Sequence, residues 1–359
     1  MSLGPIVFQT RELRIVTNGP SNLFFYRKTP AVDELSAVGY LVDMTKLKLS
    51  LALGSYDRHA PLLEGCIQHP DLDIEYIECD PQQGRHERFL QHFEFDAAEL
   101  SFSSYCIAID QGLPVHAVPI FPRRLFSQSQ MYKNVNCGIH SPEDLVGKRI
   151  GLSGYQNTLG VRAKGDLTHF YGVDRSSVTW ITPGKEVVDV ELPKDLKIEI
   201  RDSMAEMEQE FVDGKIQAMF VSRLPKPFRD GNKNLARLFS DSQAEEERYL
   251  REEGYFPIMH VLAYKKELAQ QYSQLPRALF EIFEQARSRA TQRWVDPNWS
   301  LAIWARRELE RQNQLCSFDP WKNGLEANRK NIERFALYSH EQGLTRRRLT
   351  PEELFVAID

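Results

Sequence analysis

A chain of 359 residues is longer than one hydrophobic core usually serves, about 250–300 residues, so two domains are expected. Apolar residues make up 42% and charged residues 26%, and a net charge of −5 argues against nucleic acid or an anionic membrane surface as partner. No apolar run approaches the ~20 residues of a membrane helix, and the first thirty residues lack the charged-then-apolar-then-small order of an export signal.

Residues 1–43 stand apart, with a strand-like run at Leu13–Thr17 followed by Gly-Pro, Ser-Asn and Thr-Pro breakers. Two readings stay open here: an appended segment with Met44 as the functional start, or an arm packed on the body. Beyond Met44, Leu47–Leu53 alternates at period two and is predicted as a strand ending in Gly54-Ser55-Tyr56-Asp57-Arg58, with a helix through Leu62–Cys66. Asp73–Cys79 is a second strand. Arg85–Phe93 has helical spacing, with Phe89, Leu90 and Phe93 on one face. Ala97–Phe102 is a strand running into Ser103-Ser104-Tyr105 and a helix, and Val115–Phe121 is a fourth strand. Alternating strands and helices predict mainly parallel sheets with right-handed crossovers.

Met131–Asn134 is extended and can cross to a second lobe. Ser141-Pro142-Glu143-Asp144 reads as a helix start. Strands follow at Lys148–Leu152, Val178–Ile181, Lys197–Ile200 and Ile216–Val221, with helices from Thr158 and over Ser203–Val212. Tyr255–Tyr264 can cross back, and Pro276–Trp294, Trp299–Asn313 and Gly324–Gly343 are helical. Residues 44–133 plus 256–359 then form one lobe and 134–255 the other, a hinged α/β clamshell with its site in the cleft. The five cysteines (Cys66, Cys79, Cys106, Cys137, Cys316) show neither CxxC spacing nor a zinc-like pairing with histidine. Reduced thiols and a cytoplasmic setting are expected.

Ligands in open α/β sheets sit outside the carboxyl ends of the strands, which selects particular loops. Tyr56, Asp57, Arg58 and His59 follow the first body strand, where they either line a site or form a solvated loop with an Asp57–Arg58 pair. Ser103, Ser104 and Tyr105 open a helix whose free N–H groups suit a carboxylate or phosphate, although simple capping explains the serines as well. Tyr155 and Gln156 offer the equivalent helix start in the second lobe. Arg123, Arg124, Arg162 and Arg223 lie near strand ends or a helix start, and a guanidinium fork suits a carboxylate. His260 ends the apolar run Tyr255-Phe-Pro-Ile-Met-His260, as a core histidine or a catalytic one; His59 competes for the second role. No Gly-rich phosphate loop, HExxH helix or GxSxG elbow is present.

Together these segments resemble the 4,5-dihydroxyphthalate decarboxylase family, relatives of type II solute-binding proteins. The likeness rests on Leu51-Ala-Leu-Gly-Ser-Tyr-Asp-Arg58, Phe95-Asp-Ala-Ala-Glu-Leu-Ser-Phe-Ser-Ser-Tyr105, Val118-Pro-Ile-Phe-Pro-Arg123, Gly147-Lys-Arg-Ile-Gly151, Tyr155-Gln156, Gly214–Phe220 and Phe256-Pro-Ile-Met-His260. It spans about residues 46–345. Two departures stand out: Phe126-Ser-Gln-Ser129 where the family reads Phe-Arg-His-Ser, and Ser153-Gly-Tyr-Gln156 where it reads Pro-Glu-Tyr-Gln. A cleft histidine and a cleft acid are therefore expected to be missing.

The resemblance implies a two-lobed type II periplasmic-binding-protein-like fold and non-oxidative decarboxylation of a small hydroxylated aromatic carboxylate. A ring hydroxyl para to the carboxylate lets the substrate serve as its own electron sink, so no cofactor is obligatory; a divalent metal stays open. His260 or His59 would donate the proton, with Arg58 and Arg123 as carboxylate clamps. Ser103, Ser104 and Tyr105 would assist, Tyr155 and Gln156 would close from the second lobe, and Tyr56, Asp57, Arg162 and Arg223 complete the candidate binding set. The alternative is a non-catalytic binding protein or sensor for a small aromatic or carboxylate ligand, closing by hinge motion. Neither nucleic acid nor membrane is expected as a partner, and self-association stays open.

Overall fold

The computed structural model describes residues 46–79, 83–184, 186–194 and 196–358, together with the two strands of an N-terminal hairpin. Met1–Met44 and Thr45–Asp359 form separate compact units. In the first, β1 (Leu13–Thr17) pairs antiparallel with β2 (Leu23–Arg27). The choice between an appended segment and a packed arm, and the role of Met44, lie outside the described residues.

The second unit is built on two mixed sheets. One contains β3 (Leu47–Leu53), β4 (Leu72–Glu78), β5 (Ala97–Ser101), β6 (Val115–Val118) and the late strand β13 (His260–Lys265), in the order β4-β3-β5-β13-β6. The other contains β7 (Met131–Asn134), β8 (Arg149–Leu152), β9 (Thr179–Thr182), β10 (Ile198–Ile200), β11 (Ala218–Phe220) and β12 (Leu235–Arg237), in the order β10-β9-β8-β11-β7-β12. β3 pairs parallel with β4 and β5, and β8 to β11 pair parallel in the second sheet, while β13 runs antiparallel to both β5 and β6, and β7 to both β11 and β12. Those two strands make the sheets mixed: β7 is the first strand of its sheet, and β13 returns to the first sheet after the second is complete.

Period-two burial explains how the sheets are covered. Leu262 and Tyr264 of β13 join Leu49, Leu51 and Leu53 against the helix Leu275–Arg293, through Leu279, Ile282 and Phe283. Val261 and Ala263 face the opposite way, toward a core shared with Ala98, Leu100, Phe102 and Phe335. That core continues through Leu152, Trp180 and Phe220 of the second sheet. Met207 and Phe211, on the helix Met204–Val212, cover its other face with Ile181 and Met219.

The two segments that connect the sheets lie side by side. Leu125 N–H donates to Pro257 O at 3.0 Å and Met259 N–H to Arg123 O at 2.9 Å, while Phe126 and Phe256 pack ring on ring at 4.7 Å. A paired double crossing of this kind confines relative motion of the sheets to a few backbone angles. Among the described residues no helix is long and apolar enough to cross a membrane.

Three expected helices differ, and the one expected through Leu62–Cys66 is a single turn over Ala60–Leu63. The Ser141 start forms only a 3-10 turn, Pro142–Leu145, with Asp144 accepting from Ser141 N–H at 2.9 Å. The stretch expected as a helix from Trp299 becomes helical only at Ala305. Asp296 Oδ1 accepts from Asn298 N–H at 2.9 Å, fixing a turn there.

Candidate active site

A cavity of about 920 Å³ lies where the loops after β8, β9 and β11 face the end of β5 and the start of β13. Its floor is organised by one buried acid. Glu99, central in the buried strand Ala97–Ser101, pairs through Oε1 with Nδ1 of His260 and accepts from Tyr56 OH at 3.1 Å. Oε2 accepts from Gly54 N–H at 2.9 Å and lies 3.1 Å from Nη2 of Arg85, itself fully buried. Gly54 is needed for that approach, since a Cβ there would stand 3.1 Å from Oε2. Burial alone would raise the Glu99 carboxyl; Arg85 and His260 outweigh it and hold the group well below the usual carboxylate range.

His260 sits at the cavity wall, where burial pushes its pKa down to about 4 despite Glu99. The imidazole is therefore neutral at pH 7, with Nδ1–H given to Glu99 and Nε2 carrying the lone pair. His86 packs edge-on against it, ring centroids 5.1 Å apart, and Nδ1 of His86 accepts from Ser101 N–H at 3.3 Å. That bond fixes the proton of neutral His86 on Nε2. Burial, then the neighbouring His260, hold His86 well below the usual range. Tyr56 is pushed up to about 12 by burial and by Glu99.

Ser101 caps the helix Phe102–Asp110, accepting from Ser104 N–H at 3.4 Å, and its Oγ lies 2.7 Å from Thr158 Oγ1. Thr158 begins the helix Thr158–His169, whose cap is Asn157. A second contact spans the cleft where Arg123 donates to Ser222 O at 3.4 Å. Arg223, Lys226 and Arg229 add cationic side chains to the lining. On the β9 side, Glu186 accepts from the N–H of Tyr155 and, at 3.4 Å, from that of Gln156. Among the described residues no group of three His, Cys, Asp or Glu side chains is arranged to hold a metal ion.

The chain aligns with the 4,5-dihydroxyphthalate decarboxylase of Comamonas testosteroni at 34% identity over 324 residues, 87% of this chain and 97% of that one. It belongs to the 4,5-dihydroxyphthalate decarboxylase family. The enzyme of the same name from Pseudomonas putida is 33% identical over 219 residues, 59% of this chain and 84% of that one. A family model described as NMT1/THI5 like matches residues 69–195. Among solved structures, the periplasmic sulfonate-binding protein SsuA of Methylobacillus flagellatus KT superposes with a TM-score of 0.52 at 10% identity, covering 87% of this chain and 92% of that one. This likeness concerns the fold alone: a periplasmic-binding-protein-like architecture with two mixed sheets.

For this family member the cavity gathers Ser104, Arg123, Gln156, Arg223 and His260 from the candidates named from sequence. The others lie elsewhere. The turn after Gly54 folds back on itself, with Ala60 N–H donating to Tyr56 O at 3.0 Å. It carries Arg58 between the rings of Tyr56 and Trp321, each 4.2 Å away, and Asp57 beside it, where both line a second cavity. His59 points into the core, with Nδ1 3.0 Å from Gly54 O and its ring 5.4 Å from Phe283; burial pushes its pKa down to about 4. Tyr56 reaches the site only through Glu99.

Ser103 is buried, offering its N–H to Thr158 Oγ1 at 3.2 Å, and the Tyr105 hydroxyl donates to Leu354 O in the core. Tyr155 is buried with Lys164 Nζ 3.0 Å above its ring. Arg162 lies inside the protein, donating to Asn331 Oδ1 at 2.8 Å and Tyr255 OH at 3.2 Å. Nor do the Tyr155 and Gln156 amides serve as an open anion receptor, since the Glu186 carboxylate already takes them.

The two departures from the family pattern read differently in space. Gln128 is buried and outside the cavity lining. At Gly154, Glu186 comes in from another loop; a Cβ on residue 154 would stand 3.0 Å from its Oε2. His86, Arg85, Glu99 and Glu186 escaped the sequence reading. Glu99 alone carried a signal, an acid inside the otherwise uncharged strand Ala97-Ala-Glu-Leu-Ser101, which cannot be buried without a cation.

Proposed function

We propose that this chain removes CO2 without oxidation from a hydroxylated phthalate, 4,5-dihydroxyphthalate or a close analogue, leaving 3,4-dihydroxybenzoate (protocatechuate). The observation that carries this reading is the buried Arg85–Glu99–His260 chain opening onto a cavity lined with arginines. Homology to two enzymes of that name supports the substrate class.

The chemistry needs a proton at the ring carbon that bears the departing carboxylate. A ring π pair forms the new C–H bond while the para hydroxyl releases its proton to water, leaving a neutral dienone whose carbonyl can accept the electron pair of the next step. The C–C bond to the carboxylate then breaks, its electron pair restores the aromatic ring, and the phenolate oxygen regains a proton. One proton is consumed for each CO2 released. His260 delivers it from Nε2, and Glu99 stabilises the imidazolium through Nδ1. A neutral imidazole in the open site becomes a competent acid when a dianionic substrate arrives, because nearby negative charge raises its pKa. Arg123 and the cations of the 223–229 segment hold the carboxylates. The reading places the reaction in the cytoplasm, in keeping with five free thiols.

The test is direct incubation with 4,5-dihydroxyphthalate and related hydroxybenzoates, with and without EDTA, following aromatic product and CO2. Turnover is expected, and the EDTA arm decides metal dependence. If ligands raise Tm yet none is consumed, the chain is a binding protein and the proposed reaction falls.

A further inference from the structure

The mechanism above uses neither acid of the cavity lining, Glu186 or Glu208. Glu186 lines the cavity beside Gly154 and Gln156, and its two oxygens face the amides of Tyr155 and Gln156. A carboxylate oxygen can accept about two hydrogen bonds, so one on each leaves room for another on each. Lys164 lies behind the turn, its Nζ donating to Tyr155 O at 2.7 Å. Burial raises the Glu186 carboxyl, with the amide bonds and Lys164 acting in the opposite sense.

Sheet order decides what stands opposite. β9 and β11 flank β8, so the loop carrying Glu186 and the loop carrying Ser222 and Arg223 leave the sheet on either side of the Ser153–Thr158 turn. Strands lie about 4.8 Å apart, which puts the two loops roughly 10 Å from each other at their roots. Arg223, Lys226 and Arg229 all belong to the β11 side, and Arg123 joins them through Ser222. Glu208 lies on that side too, accepting from Lys226 N–H at 3.0 Å. The cleft thus has a cationic side and, across the β8 turn, an acidic one.

We infer that Glu186 receives the ring hydroxyls, so that the cleft selects aromatic acids whose hydroxyls lie on the edge opposite their carboxylates. The inference rests on the decarboxylase reading and adds to it the group that recognises the ring. Hydroxyl-to-carboxylate bonds are charge-assisted and among the stronger ones available in a half-buried site. The room for them comes from Gly154, which lets the carboxylate lie against the turn.

The experiment uses ligands that are not consumed: 3,4-dihydroxybenzoate and benzoate, titrated by calorimetry into the unmodified chain, Glu186→Gln and Gly154→Ala. The unmodified chain is expected to favour the dihydroxylated acid by at least about tenfold. Glu186→Gln is expected to erase most of that preference while benzoate affinity moves by less than about twofold. Gly154→Ala, which crowds the carboxylate from its seat, is expected to do the same and carries the test if the first variant fails to fold. A preference that survives both changes overturns the inference, as does an equal loss for both ligands, which marks a purely structural carboxylate. Absence of CO2 release in the turnover assay is a separate result and bears on the decarboxylase reading, since neither titrant reacts.

Discussion

Turnover should depend on a single nitrogen. Nδ1 of His260 is committed to Glu99, so Nε2 is the nitrogen left for the proposed proton transfer. His260→Ala is expected to lower kcat by about 10²–10⁴-fold, with product affinity by calorimetry changed by no more than about threefold. Unchanged turnover would remove His260 from the mechanism. His59→Gln should leave kcat within about threefold, because that ring packs against Phe283 and lies off the cavity. Glu99→Gln strands the buried Arg85 guanidinium, an imbalance worth about 3–5 kcal/mol, and is expected to depress both Tm and kcat. His260 could be picked out in the sequence because it interrupts an apolar run. Its partners could not, because Arg85, His86 and Glu99 converge only through strand pairing and a helix docking from elsewhere. Arginine positions misled for a related reason: Arg58, Arg123 and Arg162 look alike in one dimension, yet stacking claims the first and a buried polar network the third.

At the scale of elements, strands were the legible part. Leu47–Leu53 and Met131–Asn134 fall where alternation and flanking breakers put them. What the pattern could not give was direction: β13 reads like any buried strand, and its antiparallel entry follows from where the chain comes back. The expected helix from Trp299 shows the converse, since residues 301, 303 and 304 are exposed and no core is there to reward helical spacing. Arg162 shows what a helix can carry away from the cleft. On Thr158–His169 it lies among Tyr255, Asn331 and, one turn on, Asp166, which accepts from Ser127 at 2.7 Å and Tyr249 at 3.0 Å. Burial raises Asp166 and Arg162 opposes it. Arg162→Leu is expected to destabilise by about 3–5 kcal/mol in urea unfolding, with kcat/KM of the folded fraction within about threefold. A KM raised without loss of stability would instead return Arg162 to the substrate site.

For the whole molecule, buried histidines set the response to acid. His59 and His260 are pushed down to about 4 and His86 well below the usual range, in each case by burial first. Unfolded imidazole titrates near 6.5, so the unfolded chain binds more protons between about 4 and 6.5. Their contribution is thus fully present above pH 6.5 and lost as pH falls through about 4, roughly 3 kcal/mol apiece for His59 and His260. Calorimetric Tm is expected to fall steadily over that window, and His59→Gln to flatten the slope. A Tm independent of pH there would contradict neutral burial.

The place of β13 also bears on how the chain comes off the ribosome. It lies between β5 and β6 yet is made after all the strands of the second sheet, and Glu99 and His260 are 161 residues apart in the chain. At synthesis rates of about 5–20 residues per second, the gap between β5 and β6 stays open for on the order of ten seconds. Two unpaired strand edges are exposed to the crowded cell for that interval. Filling the gap and creating the Glu99–His260 pair are then one event, so a nascent chain that stalls before residue 260 is sticky and lacks that pair.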